Sequence, residues 1–229
     1  MKFSCLFASL FVVFLNTQFV SAQAPKKAEW NFDDLAGWQY VHQDNNPEVQ
    51  CDVDKGILTI YTKANSFDRK KLRTADSTFT TGRYTWKTFI SEMGEGDMTS
   101  IGSWIYHDDH HEIDFEVGYG RKAVRERLKA APDEVIAYMT TQDNPYKSVR
   151  KAIKTGWHIF ELDITLVDGK YKVDWLIDNE LVSTVQQTYG EEIPFHIYCS
   201  VENLEFMGDK PASKDNYGMY DYVKYVYHK

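Results

Sequence analysis

Residues 111–118 read His111-Glu112-Ile113-Asp114-Phe115-Glu116-Val117-Gly118, with a carboxylate at every second position of the central five. Alternate side chains of a β-strand point to the same face, so Glu112, Asp114 and Glu116 share one side. Ile113 and Phe115 are strand formers and point the other way, into a core. Three acids this close repel one another, which costs stability unless the cluster has a use. A row of carboxylates on one rigid strand suits two-carboxylate glycoside hydrolysis. Positions four apart lie about 13 Å apart along the backbone, at about 3.3 Å per residue. A retaining pair needs its carboxyl groups about 5–5.5 Å apart, so the two Glu side chains must lean together. Asp114 between them can hydrogen-bond a neighbour and help set which Glu is ionised. Spacing alone leaves an acidic strand without catalytic use equally open.

Outward from this strand the chain is a series of short β-rich runs separated by turn residues. Residues 56–62, 82–90, 99–106, 157–164, 170–177, 181–184, 194–201 and 220–227 read as strands, with a hairpin turn at Asp178-Asn179-Glu180. Turns at intervals of about ten residues point to an all-β sandwich. Tyr84, Trp86, Thr88 and Ile90 share one face of their strand. Arg121–Leu128 breaks the pattern as a short basic helix. It reads as a solvated surface helix or, more sharply, as a basic lip favouring an anionic sugar. There is no internal repeat.

The domain boundaries follow from the N-terminus. Lys2, an apolar run from Leu6 to Leu15 and the small-residue pattern Val20-Ser21-Ala22 form a signal peptide over residues 1–22. The run is too short to span a membrane, and no later segment is apolar enough. Residues 23–29 read as a polar linker and 30–229 as one domain. The expected location is secreted, periplasmic or extracellular. The formal net charge of −8 argues against a nucleic-acid partner. Beyond the leader two cysteines remain, Cys51 and Cys199, which in an exported chain form either a disulfide or two buried thiols. His107, Asp108, Asp109, His110, His111 and Glu112 form a dense ligand-type cluster. It lacks a helical His-x-x-x-His pair and reads better as a tight turn between two strands.

At the acidic strand the chain resembles glycoside hydrolase family 16, the β-jelly-roll group of laminarinases, lichenases, agarases and carrageenases. The motif is similar to the unbulged lichenase form. Thr81-Gly82-Arg83-Tyr84 with Lys87, Ile101-Gly102-Ser103-Trp104, Trp157–Phe160, Val173–Asn179 and Asp221–Val226 resemble flanking strands of the family in the same order. The resemblance implies a concanavalin A-like jelly roll of two antiparallel sheets. It implies Glu112 as nucleophile, Asp114 as assisting acid and Glu116 as acid/base. It also implies a β-linked glucan or galactan as substrate, cut internally by a monomeric enzyme that needs no cofactor for catalysis. A structural calcium on the far side would take Asp221 and the Gly56 carbonyl. Sugar rings stack on aromatic side chains, and Trp38, Tyr40, Trp86, Trp104 and Tyr138 are the candidate substrate-binding residues. The family's Asn-Leu-Trp falls here on Ser200-Val201-Glu202, and Lys87 stands where Arg is usual. A catalytically silent carbohydrate-binding module on the same fold is the alternative, and a lectin-like or structural surface protein is a third reading.

Overall fold

A computed structural model describes residues 25–228. The signal-peptide reading of residues 1–22 lies outside them. Two antiparallel sheets pack face to face. The first contains β1 (Lys27–Trp30), β3 (Cys51–Asp54), β4 (Ile57–Thr62), β6 (Gly82–Ile90), β11 (Gly156–Val167), β12 (Lys170–Ile177), β13 (Glu180–Gln186) and β15 (Asn216–Val226). Its order is β13-β12-β11-β6-β15-β4-β3, with β1 paired to β15. The second contains β2 (Trp38–His42), β5 (Arg69–Thr74), β7 (Thr99–Asp108), β8 (His111–Gly118), β9 (Glu134–Thr141), β10 (Lys147–Lys154) and β14 (His196–Asn203). Its order is β10-β9-β8-β7-β14-β5-β2, which places the acidic strand β8 third from the β10 end and fifth from the β2 end. This is the jelly-roll sandwich expected, with one helix, α1 (Lys122–Leu128), among the described residues.

Several strands of the first sheet are amphipathic in the sense the core requires. β6 alternates buried and half-buried along its whole length, and β12 does the same over eight residues. The buried positions of the two sheets meet in one cluster containing Trp86, Phe115, Phe160, Trp175 and Ile197. Burying each such ring contributes roughly 2–3 kcal/mol relative to leaving it in water. The core also reaches the acidic strand directly: Trp175 Nε1 donates to the Asp114 carbonyl at 3.2 Å. That bond ties the backbone under the middle carboxylate to the opposite sheet.

The polar stretch read as a linker enters the fold earlier than expected. β1 begins at Lys27 and pairs with the last strand, Lys27 opposite Val226 and Trp30 opposite Val223. Strands β2, β3, β5, β9 and β10 were not among the runs read from the sequence. β5, Arg-Lys-Lys-Leu-Arg-Thr, has an unusual composition for a strand interior, yet it lies between β14 and β2.

Candidate active site

The floor of the site is a set of cross-strand rows. One row runs Arg73, Tyr198, Trp104, Asp114, Thr140, Ser148 across β5, β14, β7, β8, β9 and β10. The next runs Lys71, Ser200, Gly102, Glu116, Tyr138, Arg150 over the same strands. Glu112 lies one row further, opposite Tyr106. Most of these side chains line a cleft of about 800 Å³, and all three acids of β8 contribute to its lining. The alternation read from the motif therefore holds, and the acids open into a groove.

Sterics make room for the third acid. A Cβ on Gly102 would meet Ser200 Oγ and would lie 3.0 Å from Glu116 Oε1. The glycine there leaves room for the Glu116 carboxyl to lie across β7. Ser100 Oγ donates to Glu116 Oε2, which orients the carboxyl group.

The three acids differ in electrostatics. Burial pushes Glu116 up to about 8, with the Glu202 carboxylate adding to the rise and the Ser100 hydroxyl opposing it. Burial also raises Asp114 well above the usual carboxylate range, and its two neighbouring glutamates raise it further. Glu112 is raised chiefly by burial, but a hydrogen bond from Gln142, the charge of Lys71 and a hydrogen bond with Asp114 all pull it down. A carboxylic acid at Asp114 that donates to Glu112 favours the ionised form of Glu112. Gln142 Nε2 sits 3.4 Å from Glu112 Oε1 and 3.3 Å from Asp114 Oδ2. The arrangement thus raises all three acids, Glu116 to about 8, and opposes the rise at Glu112 through Gln142, Lys71 and Asp114.

Of the aromatic candidates, Trp104 and Tyr138 line the cleft. Trp104 stacks on Tyr198 at 3.9 Å between ring centroids and 13° between planes, and its Nε1 donates to Ser200 Oγ at 2.9 Å. Trp86 does not belong to the site. β6 lies in the opposite sheet, and Trp86 is completely buried with Nε1 donating to the Tyr198 carbonyl at 3.1 Å. Trp38 is likewise a core residue, packed edge-on against Trp30. Tyr40 shares its strand face with Trp38 and packs against the core, its hydroxyl donating to the Glu48 carbonyl at 2.8 Å. On β2 it is Val41, with the opposite parity, that lines the cleft.

The calcium expectation meets a mismatch of charge. Asp221 Oδ2 accepts from Lys87 Nζ at 2.6 Å, so an ammonium already neutralises the carboxylate meant for the ion. Among the described residues no group of three or more His, Cys, Asp or Glu side chains is placed to hold a metal. The carboxylate that the resemblance assigns to calcium is thus engaged by Lys87. The histidine-rich turn is satisfied piecemeal: His107 pairs with the Pro194 carbonyl, His110 with Asp143 and His111 with Asp108. Cys51 lies in one sheet and Cys199 in the other, and both are free thiols.

The basic helix α1 is not a lip on this cleft. Arg125 is buried and donates to the carbonyls of Tyr119, Ala131 and Glu134, which pins the loop around the helix. The cationic side chains at the cleft come instead from β5 and β10: Arg69, Lys71, Arg73 and Arg150. Arg69 Nε and Lys71 Nζ both donate to Glu202 Oε2, at 2.7 and 2.8 Å. These residues, with Gln142, went unread because β5, β9 and β10 were not placed; Tyr198, on the run read as a strand at 194–201, was not singled out. The signal available was the alternation Arg69, Lys71, Arg73 in β5.

No protein-family model matches the sequence, and no curated protein does. Solved structures do match in three dimensions. A Bacillus licheniformis β-glucanase superposes with a TM-score of 0.60 at 14% identity, over 90% of this chain and 100% of that one. A Crh5 transglycosylase gives 0.64 at 16% identity, over 90% and 86%. The LamA catalytic domain from Zobellia galactanivorans gives 0.59 at 16% identity, over 90% and 98%. The chain therefore has a glycoside hydrolase family 16-like fold, a concanavalin A-like jelly roll.

Proposed function

We propose that the protein is a secreted, retaining endo-glycoside hydrolase acting on a β-linked polysaccharide, a β-glucan or galactan. The observation that carries this reading is the row Glu112, Asp114, Glu116 on one strand face at the floor of an open cleft, with the proton favoured at Glu116. The neighbours in fold support the substrate class. They include a β-glucanase and a LamA variant solved with laminaritriose and laminaritetraose.

In this mechanism Glu112 attacks the anomeric carbon and forms a glycosyl–enzyme ester, while Glu116 passes its proton to the departing glycosidic oxygen. The ionised Glu116 then takes a proton from water, which attacks the ester and releases Glu112. Asp114 donates to Glu112 and is a positioning residue. Trp104 and Tyr138 offer ring faces to sugars beside the cut.

The test is a panel of laminarin, mixed-linkage glucan, agarose and carrageenan, read by reducing ends. Proton NMR of the first product formed should show the anomeric configuration of the substrate. Glu112→Gln should lower kcat by roughly 10³-fold or more with an unchanged circular dichroism spectrum. Wild-type turnover in that variant would sink the assignment.

A further inference from the structure

The cations at the cleft are unequally used. Arg69 and Lys71 share the Glu202 carboxylate. Arg73 and Arg150 have no carboxylate partner among the described residues, and the Nε of each is buried without a hydrogen-bond partner. Arg73 Nη2 donates to Gln39 Oε1 at 3.3 Å, and the Arg73 guanidinium also faces the Tyr198 hydroxyl. Arg150 lies over the Tyr138 ring at 5.0 Å, and the Tyr138 hydroxyl is a second buried donor without a partner. A buried N–H or O–H left unpaired costs about 1–3 kcal/mol. Here three such donors belong to side chains that line one cleft, in a chain whose formal net charge is −8.

Their positions bracket the acids. Arg150 and Tyr138 stand at one end of the row through Glu116, and Arg73 stands with Tyr198 at the other end of the row through Asp114. Guanidinium groups present a planar fork that matches sulfate or carboxylate oxygens, and they stack readily on aromatic faces. A neutral glucan would leave both forks unsatisfied while covering them from water.

We propose that the substrate of this cleft is a glycan carrying anionic substituents, sulfate ester or carboxylate, on sugars to both sides of the acids. One substituent is held by Arg150 with Tyr138, the other by Arg73. This rests on the glycosidase reading and goes beyond it in naming a charge on the substrate.

The experiment uses two pairs of polymers: a sulfated galactan with its desulfated form, and a polyuronate with its carboxyl-reduced form. Laminarin serves as the neutral reference. Binding is measured by affinity electrophoresis with Glu112→Gln, and cleavage by reducing ends with wild type. In at least one pair the charged polymer should bind about tenfold or more tightly than its neutral twin, weakening as salt screens it. The pair that shows the preference identifies sulfate or carboxylate as the source. Arg150→Gln and Arg73→Gln, each added to Glu112→Gln, should each cut that preference about ten- to a hundredfold and leave affinity for the neutral twin within about twofold. Equal affinity within both pairs, or variants that weaken both twins alike, would overturn the proposal. The wild-type comparison within each pair needs no variant to fold. Laminarin cleavage without any charge preference would leave the glycosidase standing and remove this inference. A charge preference in binding with no polymer cut would do the reverse.

Discussion

Replacing Glu116 by Gln should make the protein more stable at alkaline pH. The Glu116 carboxyl is raised from an ordinary 4.5 to about 8, mainly by burial and then by Glu202. Between those values the folded state holds a proton that the unfolded chain has released. Stability therefore falls as pH rises through this window, by at most about 1.4 kcal/mol per unit for this one group. Across the whole window the ceiling is about 5 kcal/mol, and water entering the open cleft lowers it to about 2–4 kcal/mol. Gln has the shape of the protonated acid and still offers an oxygen to the Ser100 hydroxyl, but it does not titrate. Urea unfolding of both proteins from about pH 4 to pH 9 isolates the contribution of this group. The curves should coincide near the acid end and separate with rising pH, the variant being the more stable. The same variant should be inactive on substrates with poor leaving groups. Curves that run parallel across the range would refute the claim that Glu116 is held protonated, and with it the acid/base role.

Gly102→Ala should damage turnover more than folding. Its methyl group would crowd Ser200 Oγ and the Glu116 carboxyl, and a shift of about 1 Å in a catalytic group costs about a hundredfold in rate; kcat and the urea midpoint measured together separate the two effects. Trp86→Ala should cost about 3–5 kcal/mol of stability, read as a lower unfolding midpoint, because Trp86 is core and touches no sugar. Excess EDTA should leave the melting temperature unchanged in calorimetry, since Lys87 already pairs with the Asp221 carboxylate.

The strand order and the charged strands explain what could be read from residues alone. In β8 the alternation of acids with Ile113 and Phe115 named both faces at once, because one side was plainly apolar. In β6 the same alternation grouped Tyr84, Trp86, Thr88 and Ile90 correctly, yet it could not say whether their face met the core or a cleft. That depends on which sheet a strand joins, and β6 pairs with β11 and β15 across the sandwich from β8. Aromatic residues suit both destinations, so Trp86 and Trp38 were assigned to sugar and belong to packing. β5 failed for the opposite reason. Arg69, Lys71 and Arg73 face the cleft, whereas Lys70 points the other way and is completely buried under residues 43–50, its Nζ 3.1 Å from Asp44 Oδ1. Both faces are therefore polar, and a strand without an apolar side looks like a solvated charge run. The basic character expected at Arg121–Leu128 was a sound reading of composition placed on the wrong element. A helix can turn its charges to water at no cost, as α1 does with Lys122 and Arg127, while an inner strand of a sandwich has only a core and a cleft to face. Cationic residues on such a strand must be paired or must wait for a ligand. On β5, Lys70, Lys71 and Arg69 are paired and Arg73 remains; Arg150, on the edge strand β10, joins it at the cleft without a carboxylate partner among the described residues.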